Sequence, residues 1–86
     1  MPNAQMHAAI HAIVENQVAE GHEPVVRAMT RLTSTGLSRH DAVHAIGSIL
    51  AEHIFDVLND IPMHGNSMAN YDAAVERLTA ESWRDG

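Results

Sequence analysis

The sequence predicts an all-α protein, a small antiparallel four-helix bundle, and three observations carry that expectation. Apolar residues recur at three- and four-residue spacing through most of the chain. No stretch alternates apolar and polar residues as a half-buried strand does. Glycine or proline interrupts the helical pattern at Gly21, Pro24, Gly36 and Pro62, which leaves four periodic segments over about residues 4–20, 24–35, 39–61 and 68–83. At 86 residues the chain is a single domain with room for one modest core.

Asn3 is placed to cap the first helix and Gly21 to end it. Met6, Ile10, Ile13, Val14 and Val18 form its apolar arc, with His7 and His11 on the flank of that arc and Glu15 continuing their line. Pro24 fits the first turn of the second helix, where its missing N–H costs nothing, and Gly36 ends it. Val25, Met29 and Leu32 give this helix a narrow seam, and Arg27 and Arg31 are expected to pair with acidic residues on adjoining helices.

Ser38 caps the third helix, with the Asp41 carboxylate near the positive end of the helix dipole. Its buried arc is expected to comprise Val43, Ile46, Gly47, Leu50, Ile54, Val57, Leu58 and Ile61. Gly47 inside that arc costs roughly 1 kcal/mol of helix propensity, which close packing of a neighbouring helix would offset. Pro62 breaks the helix, residues 63–67 read as a polar loop, and the fourth helix carries Tyr71, Val75, Leu78 and Ser82 at helical spacing before a frayed tail. Short links make the simplest topology up-down-up-down, in which the first and third helices run parallel.

The composition excludes several function classes. Five basic residues against eleven acidic ones give a net charge of −6, so a basic face for nucleic acid is missing. No segment approaches the ~20 apolar residues of a membrane span. The N-terminus lacks the basic and apolar regions of a secretory leader, which makes the cytoplasm the expected location. The absence of cysteine removes thiolate ligands, thiol nucleophiles and disulfides together. Only Phe55, Tyr71 and Trp83 are aromatic, so the core is aliphatic, with methionine filling gaps.

Histidine is the outlier: seven residues, more than lysine plus arginine together. Four of them sit in a repeat. His7-Ala-Ala-Ile-His11-Ala-Ile13 recurs as His40-Asp-Ala-Val-His44-Ala-Ile46, displaced by 33 residues, which suggests a duplicated helical hairpin. Residues four apart lie about 40° apart around a helix, so each copy projects two imidazoles from one face. Both pairs flank their buried arcs at the same angular offset and sit in early turns, where burial and the helix dipole favour the neutral, ligand-ready ring.

Brought together, His7, His11, His40 and His44 would form a four-imidazole site for a transition metal, with Glu15 as a further ligand. Zinc and iron lead among the metals, and copper and nickel also suit imidazole. Adding Glu15 favours a five- or six-coordinate iron, manganese or nickel centre. A position left open to water or substrate would make the site catalytic, by metal-assisted hydrolysis or oxidation, and the sequence does not separate these. No Ser–His–Asp arrangement or phosphate loop offers other chemistry. A haem between the pairs is disfavoured by the small apolar volume.

His22 and His64 fall in loops, and His53 faces away from the pair on its own helix. The rival to a metalloprotein is a non-enzymatic, acidic interaction module that dimerises or docks a partner helix, its histidines structural or pH-sensing. Homodimerisation is expected under either reading, since a small bundle gains core by pairing.

The His40-Asp41 doublet is similar to that of HD-type phosphohydrolases, but the further ligands of that larger helical domain have no match here. The run His7-x3-His11-x2-Val14-Glu15-Asn16-Gln17, with Gly36-Leu37-x-Arg39-His40-Asp41-Ala42-x-His44-Ala45-Ile46, resembles a small bacterial all-helical domain family of unknown function. The resemblance covers most of residues 3–58. It implies a bacterial source and places both histidine blocks in one module; it implies no activity.

Overall fold

A computed structural model of the chain describes residues 4–58 and 67–85. Five helices make up this fold: α1 (Ala4–Ala19), α2 (Glu23–Ser34), α3 (Arg39–Leu58), α4 (Ser67–Arg77) and α5 (Ala80–Asp85). No strand occurs among the described residues, and the chain folds as the expected small helical bundle.

Local chemistry sets most helix ends. Gly21 and Gly36 stand just past α1 and α2 with φ of 73° and 113°, a left-handed region that L side chains rarely adopt. Behind each glycine the chain reaches back five residues to a helix carbonyl, His22 N to Gln17 O at 2.9 Å and Leu37 N to Leu32 O at 3.1 Å. Ser38 caps α3 as expected, its Oγ accepting from the Asp41 N–H at 3.0 Å.

One expected helix needs correction. The single helix expected over 68–83 is two helices. Thr79 and Ser82 form a reciprocal cap, in which Ser82 N donates to Thr79 Oγ1 at 3.0 Å and Thr79 N to Ser82 Oγ at 3.1 Å. That closed pair starts α5 anew and turns Ser82 outward, away from the core. The described part of the third helix runs to Leu58, and its expected end at 61 lies outside the described residues. The Asn3 cap, Ile61, the Pro62 break, residues 63–66 and His64 lie outside the described residues.

The core gathers Ile10 and Val14 of α1, Val25, Ala28, Met29 and Leu32 of α2, Val43, Ile46 and Leu50 of α3, and Tyr71, Val75 and Leu78 from α4 and its end. Several expected core positions lie outside it: Ile13 is 39% exposed, Val57 52% and Leu58 74%. The apolar arc of α3 therefore outruns the helices that cover it.

The relative direction of the helices also departs from expectation. Along α1 and α3 the neighbours are Glu15 with Arg39, His11 with His44, and Ile10 with Gly47, so residue numbers fall on one helix as they rise on the other. The first and third helices are antiparallel, not parallel. By contrast, His22–Asp72, Arg27–Glu76 and Arg31–Leu78 contacts show α2 and α4 running side by side in the same direction. Helix α2 packs mainly on α3 and α4 and less on α1, and the molecule measures 35 × 29 × 29 Å.

The seam between α1 and α3 is close. An added Cβ on buried Gly47 would lie 3.0 Å from Ile10 Cγ2, the close approach that the glycine in the apolar arc predicts. This seam carries the histidines.

Candidate metal centre

The four histidines of the repeat meet across the α1–α3 seam. His7 and His11, one turn apart on α1, have ring centroids 4.6 Å apart, and His40 and His44 on α3 are 4.5 Å apart. Across the seam, His11 and His44 are 4.4 Å apart, His7 and His44 4.7 Å, and His11 and His40 5.5 Å. The inner pair is thus His11 with His44, and His7 and His40 are the outer members. That order is what a local two-fold axis through the seam would produce, exchanging the two copies of the repeat.

Three of the four have converging donor atoms. One ring nitrogen each of His7, His11 and His44 can be chosen so that all lie within 4.8 Å of one another. Tetrahedral coordination at Zn–N distances near 2.0–2.1 Å puts nitrogen donors about 3.3 Å apart, so small rotamer adjustments would close the set onto an ion. All three rings are half-buried, whereas His40 is exposed and stands outside this tight group.

The electrostatics keep the inner rings neutral. Burial lowers the pKa of His11 below its ordinary value, with the potentials of His7 and His40 adding to the effect and Glu15 opposing it. His44 is lowered in the same way, first by burial, then by His11, His40 and His7, against an opposing Asp41. Neutral imidazole is the form that ligates a metal.

His11 Nε2 is fully buried and has no hydrogen-bond partner. Either tautomer leaves that atom unsatisfied, as a bare lone pair or an unused N–H. It is the one side-chain nitrogen or oxygen in that condition among the described residues.

Glu15 continues the His7–His11 line on α1, but its carboxylate is taken. Arg39 Nη1 donates to Oε2 and Nη2 to Oε1, both at 2.6 Å, and this bond holds the Glu15 carboxyl below its ordinary pKa. Glu15 is therefore a neighbour of the histidine group, not one of its three converging donors.

A cavity of about 310 Å³ opens beside the group, lined by His7, His11, His44, Ser48, Glu52 and Trp83 among others. An apolar groove of about 780 Å³ adjoins it and shares Ile10, Ala51 and Glu52.

The other chemically notable residues have structural partners. His22 precedes α2 and binds Asp72 of α4 through Nε2 at 2.8 Å. His53 is half-buried, its ring 5.8 Å from that of Tyr71. The buried Tyr71 donates its hydroxyl to Gln17 Oε1 at 2.8 Å, and burial pushes its pKa up to about 12. Arg27 pairs with Glu76 as expected. Arg31 takes no acidic partner among the described residues: Nε donates to Leu78 O at 3.0 Å and Nη2 to Val75 O at 2.9 Å, satisfying carbonyls left over where α4 ends.

Sequence reasoning missed Ser48, Glu52 and Trp83 as walls of the cavity. Ser48 and Glu52 stand four and eight residues past His44 on the same helical line, which is the signal that could have placed them. Trp83 comes from α5, whose position no local pattern indicates. No helix among the described residues is long and apolar enough to cross a membrane. The chain matches no protein-family model, and comparison with curated proteins and with solved structures finds no significant match.

Proposed function

We propose that this protein is a transition-metal-binding helical protein whose ion is held by His7, His11 and His44, with His40 as the nearest further imidazole. The observation that carries this reading is the buried, unpartnered Nε2 of His11 amid a converging set of histidine nitrogens. A buried polar atom without a partner costs about 1–3 kcal/mol, and coordination would satisfy it. The all-nitrogen donor set suits zinc, copper or nickel, and an imidazole-bound iron also fits. The adjoining cavity gives an ion there a face open to water or a small ligand, the arrangement that catalytic rather than purely structural sites keep.

The test is metal content in protein purified without an affinity tag, together with thermal unfolding before and after chelation. Close to one bound ion per chain, lost in His11→Ala and His44→Ala, supports the proposal. Below about 0.2 ion per chain after metal-supplemented growth, with no thermal response to added zinc, copper, nickel or iron, the metal reading fails. The acidic interaction module would then be the better account.

A further inference from the structure

The carboxylate that continues the His7–His11 line on α1 is held by an arginine. Glu15 lies one helical turn past His11, and the fork of Arg39 grips both of its oxygens at 2.6 Å. Arg39 immediately precedes His40, so the pair closes the end of the α1–α3 seam where the outermost histidine stands. Glu15 is near enough to His11 for each to shift the other's proton affinity. A carboxylate one helical turn past His11, once freed from Arg39, is a candidate additional donor.

We propose that Arg39 sets the metal preference of the site by holding Glu15 out of the coordination sphere. This inference rests on the reading of the histidine group as a metal site. An imidazole-only set favours four-coordinate zinc, or copper and nickel, whereas an added carboxylate oxygen raises the coordination number and favours harder ions such as Mn(II) and Fe(II). The two-point guanidinium–carboxylate contact occupies both oxygens at once, which a lysine ammonium does not reproduce. Arg39 thus acts on the ion through Glu15, as a positioning residue.

Cobalt(II) reports the difference, because tetrahedral Co(II) absorbs strongly in the visible and five- or six-coordinate Co(II) weakly. The wild-type protein loaded with Co(II) should show the strong band. Arg39→Gln should lose much of that intensity and raise Mn(II) affinity relative to Zn(II) by about tenfold, the lower end of effects from residues behind metal ligands. Arg39→Gln combined with Glu15→Gln should recover the strong band, since the carboxylate that Arg39 restrains is gone. Arg39→Lys should shift the spectrum the same way as Arg39→Gln and serves if the glutamine variant folds poorly by circular dichroism.

A weak band in the wild type, or an Arg39→Gln spectrum and Mn(II)/Zn(II) ratio like the wild type's, overturns the proposal. So does a double variant that stays as weak as Arg39→Gln, because the loss then comes from a loosened seam. Failure of the wild-type chain to bind Co(II) at all instead overturns the metal reading beneath it.

Discussion

His11→Leu separates a histidine kept for packing from one kept for a ligand. Leucine is close enough in volume to fill the space without forcing the seam apart. In metal-free buffer the substitution removes a buried nitrogen that has no hydrogen-bond partner and adds apolar surface between α1 and α3. Relief of an unsatisfied buried polar group is worth about 1–2 kcal/mol on the scale of such penalties. For a domain of this size each kcal/mol moves Tm by roughly 4–8 °C, so the variant should melt about 5–15 °C above the wild type.

Metal should invert that order. An ion present at 100 times its Kd stabilises the wild type by about 2.7 kcal/mol, and the variant, short of its central ligand, should respond little. Thermal unfolding followed by far-UV circular dichroism, with and without zinc or nickel, reads both effects in one experiment. A variant less stable than the wild type in chelator, together with a wild type indifferent to every metal tried, refutes the reasoning. His11 would then be a packing residue whose ring the core needs.

The metal-free protein should also lose stability as pH falls. His11 and His44 have folded pKa values below the ordinary 6.5, so the unfolded chain binds more protons than the native one. Their contribution is complete above pH 6.5 and is lost as pH drops through the folded values; Tm should be flat between about pH 7 and 8 and lower at about pH 5. Gly47→Val should destabilise by about 1–3 kcal/mol in denaturant titrations, because even the first added carbon meets Ile10 at 3.0 Å, and it should weaken metal binding by spreading the seam. Gly36→Ala should cost about 1 kcal/mol or more, since the position has φ of 113°, while the Arg84 guanidinium that a Cβ would approach to 2.8 Å can swing aside. Thr79→Ala, which removes one arm of the cap at α5, should cost about 1 kcal/mol, read in the same titrations.

What the sequence made legible is what single helices encode. The Ser38 cap, the glycine stops, the α2 seam and the tight spot at Gly47 all follow from backbone chemistry and spacing within one element. The two histidine pairs were legible for the same reason, as a repeated turn at a shared angle to its buried arc. The direction in which α1 and α3 meet was not. A shared angular offset is compatible with a two-fold axis along the helices, which makes them parallel, or across them, which makes them antiparallel. Both bring the same faces together, so the site was inferable while the topology behind it was not. The break between α4 and α5 was present as Thr79-x-x-Ser82, but serine in place of the usual glutamate or glutamine hides a reciprocal cap inside a helical pattern. Arg31 went astray because helix-end carbonyls, invisible in sequence, compete with carboxylates for a guanidinium.

A small bundle has few ways to lose core, which gives the position of the histidines its force. Where α1 crosses α3, Gly47 lets the backbones approach and Ile10 fills the gap, as an optimised apolar seam requires. The next positions along that same contact are given to imidazoles that repel protons from one another and leave one nitrogen unsatisfied. Aliphatic side chains there would pack as well without either penalty. Local departures of this kind, in a chain otherwise consistent from caps to core, are where function is expected to reside. The repeat applies the departure at both copies, and the fold brings the copies face to face. An ion bound there would convert each penalty into a gain, because it would satisfy the orphaned nitrogen and draw on the neutral rings that burial favours.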